Sequence, residues 1–463
     1  MPDLLRRNAM FILFVLLCSA SSLSLIHEVS GWGNELSSVD PGSEANALRE
    51  VRHFLEEGVT RYYGLGNISY PGMYPESGTV PWYFDGPAID PAERDYIRQH
   101  VLTSDGVYTH YPPGSEYLLY AEAKVLGLEP VWRLRLLPIA IGYAAITFLG
   151  LSIRRRFGSA VGWLVASAMV LTPSVTSAFV GLHDQGYALA LTMCEIGIAL
   201  GGGSRLLPFA GLGFLQGWLT FDQVFLVTFI PLAIELVMPA VDPGYRPRWN
   251  LALVRTALAG CGFAVAHTLH FLEVWAYIGS FEGAVRDLAG AAAYRSGLDT
   301  DHGLIGYVTH AAHNLQIYFV GGPVFDAEAI LPGPAFDGRW PMFRFAGIAL
   351  GPWWVLITVG LIVWGKLQPA SNAEILRGRW HYVFAIGFVM SSLWLLVMID
   401  HSGYHERFIY RHLFFLYFIC ILFGACAVCR QHAAGSMPRI VVGLEPVRMR
   451  LSAGLRMTAR SRG

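Results

Sequence analysis

Lysine is nearly absent from this chain. Lys124 and Lys366 are the only two in 463 residues, so arginine carries almost all of the positive charge. Charge of either sign is scarce as well, at 14% of residues against roughly a quarter in soluble domains. With 54% hydrophobic residues and a mean hydropathy of +0.44, a soluble globular chain is excluded and an integral membrane protein is expected. The net charge of −1 gives no reason to look for a nucleic-acid partner, and none is expected. The six cysteines (Cys18, Cys194, Cys261, Cys420, Cys426, Cys429) all lie in apolar segments, so no disulfide framework follows. Cys426 and Cys429 have a C-x-x-C spacing but no second pair, and neither metal nor redox chemistry is read from them. Gly201-Gly202-Gly203 lacks the Lys-Ser/Thr of a phosphate loop and reads as a turn. His267 with His270, and His310 with His313, stand at i,i+3 without a third ligand at close spacing and are left unassigned.

Apolar runs are what the chain has in plenty. Arg6 and Arg7 precede a run from about Ala9 to Ile26, read as an uncleaved first membrane helix because it continues past Ser19-Ala20-Ser21 into a membranous chain. Further spans are expected at roughly 133–153, 160–181, 185–201, 206–220, 222–239, 251–275, 345–365, 380–399 and 408–429. The expected fold class is therefore an all-α polytopic membrane protein of about ten transmembrane helices, one membrane domain over 1–463. Glu116 to Leu126 is apolar but too short to span, and reads as a juxtamembrane or re-entrant helix.

Residues 28–127 form a large first external loop with juxtamembrane helices. Ser43 can cap a helix running to Glu57, with Leu48, Val51 and Leu55 at helical spacing and Arg49, Glu50, Arg52 and Glu56 around them, as suits a helix lying on the membrane surface. Asp90 to Gln99 reads as a short polar helix. Core helices over 133–275 follow, then a second large external loop at 276–344, C-terminal spans over 345–429 and a basic tail at 430–463. Alternating sides from a cytoplasmic N-terminus puts Arg154-Arg155-Arg156, Arg205, Arg246 with Arg248, Lys366 to Arg379 and the tail all inside. Both termini are then cytoplasmic, and the external face collects Asp40, Glu44, His110, His183, Asp184, Asp222, His401, His405, Arg407 and Arg411.

The corner Tyr108-Thr109-His110-Tyr111-Pro112-Pro113-Gly114 stands out on that face. Two prolines fix φ near −65°, and Gly114 permits a sharp entry into the next helix. Tyr108, His110 and Tyr111 are held just before it, which also fits a plain helix entry with interfacial tyrosines. Glu44 lies at a helix N-terminus, where the dipole stabilises a carboxylate, and Asp184 can be a cap. Arg407 and Arg411 share a helical face beside His405 and suit either a bound phosphate or lipid head groups.

Taken together, a first membrane helix, the acid-led helix Glu44-Ala45-Asn46-Ala47-Leu48-Arg49 in a long external loop, and Tyr-x-His-Tyr-Pro-Pro-Gly before an apolar helix resemble the GT-C glycosyltransferases, in the branch of protein O-mannosyltransferases and lipid A aminoarabinose transferases. The resemblance covers about residues 1–240. It implies a sugar on a polyprenyl-phosphate donor, transferred with inversion to an envelope glycolipid, glycan or protein acceptor on the periplasmic or lumenal side, with a bacterial inner membrane as the expected location. It implies a base in the first loop, mapping to Glu44 or to Asp40, and a second acid for substrate or metal at Asp184. No cofactor is implied with certainty, and a divalent metal stays open. Where the aminoarabinose branch has Thr-Lys-Gly this chain has Thr220-Phe221-Asp222, which shifts donor-phosphate binding to His405, Arg407, Arg411 and His110. Tyr108, Tyr111, His183 and Asp222 are the expected substrate contacts. Two other readings stay open: a transporter or flippase for a lipid-linked or anionic solute, and a non-catalytic assembly or sensor protein.

Overall fold

A bilayer offers exposed peptide groups no hydrogen-bond partner, so apolar runs of this length must close their own backbone bonds as helices. The computed structural model describes residues 2–36, 41–68, 70, 106–242, 244–296, 303–316, 357–363, 380–398 and 414–433. Among these the regular structure is helical, and the β contact is an isolated antiparallel bridge between Asn67 and Val107. The chain is an all-α membrane protein. Among the described residues, four helical stretches are long and apolar enough to cross a membrane: Asn8–Trp32, Val131–Phe157, Val224–Val241 and Trp249–Ile278. The expected spans at 345–365 and 408–429 lie partly outside the described residues, as do Asp90 to Gln99 entirely.

In order, α1 is Pro2–Trp32, α2 Pro41–Glu56, α3 Gly114–Leu126, α4 Leu136–Phe157 (entered through a 3-10 turn, Val131–Arg135), α5 Ser159–Val170, α6 Asp184–Leu200, α7 Leu207–Leu219, α8 Val224–Val241, α9 Trp249–Ile278, α10 Phe281–Ser296, α11 Gly303–Gln316, α12 Trp380–Val397 and α13 Phe414–Ala433. The expected 160–181 span is interrupted. After α5 the chain turns at Leu171 and Thr172, and Pro173, which has no N–H to give, starts a separate turn, Pro173–Thr176, followed by the 3-10 turn Ser177–Val180. The 276–344 loop is partly helical, since it contains α10 and α11.

Small residues and buried amides hold the bundle. α7 and α9 approach so closely that a Cβ on Gly213 would lie 2.0 Å from the Ala259 carbonyl oxygen, and one on Gly262 2.0 Å from that of Ala210. In lipid, where apolar side chains gain little by meeting one another, such backbone approach is a main source of helix association. Gln216 of α7 joins the neighbouring α6 by donating to Ala188 O at 2.7 Å and Thr192 Oγ1 at 3.0 Å. α9, at 30 residues, is about 45 Å long, more than a hydrocarbon core needs, so one end can project to meet the loops.

α2 is not a surface helix. It begins at Pro41, placing Ser43 in its first turn, and Leu48 and Val51 pack with Leu119, Ala123, Leu134 and Leu182. Half of its expected polar face is buried too, since Arg49 donates to Ile68 O at 3.4 Å and Glu50 is buried, while Arg52 and Glu56 stay in the open as an i,i+4 pair at 2.7 Å. The reason is an ion pair. Arg135 Nη1 donates to Glu44 Oε1 at 2.8 Å and Nη2 to Oε2 at 2.9 Å, with both side chains 0% exposed. Arg135 donates as well to Val180 O and to Glu35 O at 3.2 Å, and lies 4.9 Å over the Trp32 ring, while Leu182 N–H donates to Glu44 Oε1 at 3.3 Å. One pair therefore ties the end of α1, the start of α2, the entry to α4 and the segment leading into α6. Glu44→Gln or Arg135→Ala, which strands a buried charge, is expected to cost about 3–5 kcal/mol in denaturant unfolding of the detergent-solubilised protein. Unfolding curves that overlay the wild type would remove the pair from this role.

Candidate active site

The prolines of Tyr-Pro-Pro-Gly end a loop, and Gly114 lets it dock. A Cβ there would sit 2.1 Å from the Trp218 carbonyl oxygen, so only glycine lets the N-terminus of α3 press against the end of α7. Gly114 opens the helix as the sequence suggests, and it also serves close approach. The contact brings Tyr111 to the turn between α7 and α8: its hydroxyl donates to Asp222 Oδ1 at 3.1 Å, and its ring lies 4.4 Å from that of Phe221. Asp222 N–H is capped by Thr220 Oγ1 at 3.2 Å.

A second wall comes from α10. Arg295 lies 4.8 Å over both the Tyr111 and Phe221 rings, donates to Tyr108 Oη at 3.3 Å and lies 3.4 Å from His110 O as donor. Among the described residues no carboxylate stands within ion-pair distance of it. Asp287, two turns earlier, meets His110 Nε2 at 3.2 Å, and the His110 side chain is 0% exposed. Burial holds the His110 imidazole below its ordinary pKa, only partly offset by Asp287. Burial raises Asp287, but the His110 hydrogen bond and charge, the Thr109 hydroxyl and the His270 charge together outweigh it and keep the carboxylate below its ordinary value. The backbone beside His110 is fixed from α9, where His270 Nε2 donates to Thr109 O at 2.8 Å.

The third wall is the start of α6. His183 Nδ1 lies 3.1 Å from Asp184 Oδ1, and both residues are nearly buried. Glu116, in the first turn of α3, feels the field of Asp184 and His183. Burial first, then Asp184, pushes its carboxyl up to about 7, against the Ser115 hydroxyl that donates to it at 2.9 Å. Glu50 of α2 is raised by burial and by Glu116. Tyr111 is raised by burial and by Asp222, and Tyr108 is pushed up to about 12 by burial against the pull of Arg295. Five carboxylates (Asp184, Asp222, Asp287, Glu50 and Glu116) and one arginine thus share the end of the bundle around the tyrosine corner.

The residues singled out in the sequence divide accordingly. Tyr108, Tyr111, Asp222, His183 and Asp184 come together. His110 is adjacent but enclosed, so it holds the corner to α10 through Asp287. Glu44 has both oxygens on Arg135 and no exposed surface, so an acceptor hydroxyl does not reach it in this arrangement. Asp40, His405, Arg407 and Arg411 lie outside the described residues. Arg295, Asp287 and Glu116 were not read from the sequence. A signal existed for two of them: Ala284, Asp287, Leu288, Ala291 and Arg295 recur at three- and four-residue steps inside what read as a loop. Among the described residues no group of three His, Cys, Asp or Glu stands close enough to hold a metal ion.

No protein-family model and no curated protein matches the chain. Among solved structures it is similar to the apo oligosaccharyltransferase of Archaeoglobus fulgidus (TM-score 0.45, 13% identity, over 93% of this chain and 51% of that one). It is similar also to the oligosaccharyltransferase AglB of that organism in complex with an inhibitory peptide and a dolichol-phosphate (0.45, 14%, 91% and 51%). A third is ArnT from Cupriavidus metallidurans bound to undecaprenyl phosphate (0.30, 15%, 93% and 79%). The chain spans about half the length of the archaeal enzyme.

Glu116 titrates at about 7 when folded and near its ordinary 4.5 when unfolded. The folded chain then holds more protons between those values, so stability falls as pH rises through that window. Glu116→Gln is expected to flatten this fall when unfolding midpoints are followed from pH 4.5 to 8, and a fall as steep as the wild type's would place the raised group elsewhere.

Proposed function

We propose that this membrane protein is a glycosyltransferase that moves a sugar from a polyprenyl-phosphate donor to a hydroxyl acceptor, a glycolipid, glycan or protein, with inversion, on the periplasmic face of a bacterial inner membrane. The observation that carries the reading is the joining of Asp184, Asp222 and Arg295 around the tyrosine corner. Transfer between a lipid phosphate and a hydroxyl requires a carboxylate on one side of the anomeric carbon and a cation on the other, and this end of the bundle offers both.

In this reading Asp184 is the base. It takes the acceptor proton as the oxygen bonds to the anomeric carbon and the bond from that carbon to the phosphate oxygen breaks. Such proton transfer contributes about 10²–10⁴ in rate. The departing lipid phosphate gains charge, which Arg295, with His405, Arg407 and Arg411, stabilises. A guanidinium resting over two adjoining rings has lost much of its rotational freedom beforehand, so binding costs it little ordering. Asp222, held by the Tyr111 hydroxyl, orients the sugar. Glu44 is a positioning residue: through Leu182 it fixes the segment that delivers His183 and Asp184. Asp40 keeps its alternative as a first-loop acid.

Two variants separate base from donor site. With purified protein and a polyprenyl-phosphate sugar, Asp184→Asn is expected to lower kcat about 10²–10⁴-fold with little change in donor KM. Arg295→Ala is expected to raise donor KM. Wild-type turnover in Asp184→Asn would take the base role away. Movement of the lipid-linked sugar across proteoliposomes with no glycosidic product would replace the reading with a transporter.

A further inference from the structure

The opposite end of the bundle is built around arginine. α4 closes with Arg154-Arg155-Arg156, and the turn after α6 is Gly201-Gly202-Gly203. Arg156 Nη1 donates to Leu200 O at 3.2 Å, Arg248 Nη1 to Gly202 O at 2.6 Å, and Arg255 Nη2 to Gly203 O. Two of the three guanidiniums also converge on Gly202, where a Cβ would sit 3.7 Å from Arg248 Nη2 and 3.9 Å from Arg156 Nη1.

Negative charge is short here. Glu235 accepts from the Tyr245 hydroxyl and from Arg248 N–H at 2.8 Å, and lies 3.9 Å from the Arg248 guanidinium. Among the described residues no carboxylate stands within ion-pair distance of Arg156 or Arg255. Arg255 is 2% exposed, and its Nε and that of Arg156 are buried without an acceptor. Ring faces stand in part for anions: Arg255 lies 4.9 Å over Phe209 and Arg156 4.5 Å over Tyr245. Carbonyl dipoles and rings offset some of the lost hydration, yet unbalanced cations stay costly in a low-dielectric setting.

The rim is apolar. Leu207 is 83% exposed, and Leu206 and Trp249 also present open side chains beside the turn. Indole and leucine surfaces next to arginines are what the boundary between head groups and acyl chains selects. A small free anion would balance the charge without covering that rim, whereas a phospholipid does both. We infer that the Gly201–Gly203 turn is a binding site for an anionic phospholipid, whose phosphate oxygens accept from Arg156 and Arg248 while its acyl chains cover Leu207 and Trp249. Guanidinium suits phosphate by bidentate donation, and basic pockets between membrane helices take head groups in this way. The site lies at the end of α4, α6 and α9 away from Asp184, so it is separate from the transfer chemistry.

The test uses the full chain, delipidated in detergent and titrated with phosphatidylglycerol, phosphatidylcholine or inorganic phosphate, with bound lipid counted by native mass spectrometry. Phosphatidylglycerol is expected to bind saturably and at least about tenfold tighter than phosphatidylcholine. Arg156→Gln with Arg248→Gln, both less buried than Arg255 and so less disruptive to folding, should erase about tenfold of that affinity. The exposed Arg286→Gln, at the other end, should leave it unchanged. Equal binding of the two lipids by the wild type, or unchanged phosphatidylglycerol affinity in the double variant, would overturn the site. Displacement of phosphatidylglycerol by millimolar inorganic phosphate would assign it to a free anion and overturn the lipid.

Discussion

The arrangement depends on one buried ion pair. Two charges withdrawn from water are costly unless each finds the other in good geometry and their remaining bonds are met, and Glu44 with Arg135 satisfies both conditions through bidentate pairing and four further groups: the carbonyl oxygens of Val180 and Glu35, the Leu182 N–H and the Trp32 face. Such a pair contributes specificity of placement more than stability. Apolar packing alone allows helices to slide and rotate. A bidentate clamp fixes where the segment before α6 must lie, and with it His183 and Asp184.

The two ends of the bundle follow different charge rules. At one, carboxylates crowd until burial and mutual repulsion lift Glu116 and Glu50 out of the ordinary carboxylate range, and Arg295 meets them from a helix outside the core. At the other, arginines crowd onto backbone carbonyls, and among the described residues Glu235 is the acid within ion-pair distance of one of them. Both are expensive in isolation: at the arginine end an anion would offset the excess charge, whereas at the carboxylate end Arg295 is the cation that a phosphate would meet.

Much of the fold could be read from apolar runs. Residues 133–153 became Val131–Phe157, 185–201 became Asp184–Leu200 and 251–275 became Trp249–Ile278, because a bilayer leaves an apolar run little choice but to coil. Roles that depend on distant partners were not legible. Glu44 at a helix N-terminus looks like an available base, and only Arg135, 91 residues away, shows that its oxygens are taken. Gly114 reads as a turn residue until Trp218 is brought against it. Arg295 is hidden in the sequence because the 276–344 segment reads as a loop, although the small and polar residues of Phe281–Ser296 carry a helical period.

If the site is where these residues place it, a bound donor must put its phosphate beside Arg295. A structure of the purified chain with polyprenyl phosphate locates the phosphorus directly. The account predicts a position within hydrogen-bonding reach of the Arg295 guanidinium, on the side of Tyr111 that faces Asp222. A phosphate seated only at the Gly201–Gly203 turn, with the tyrosine corner empty, would contradict it.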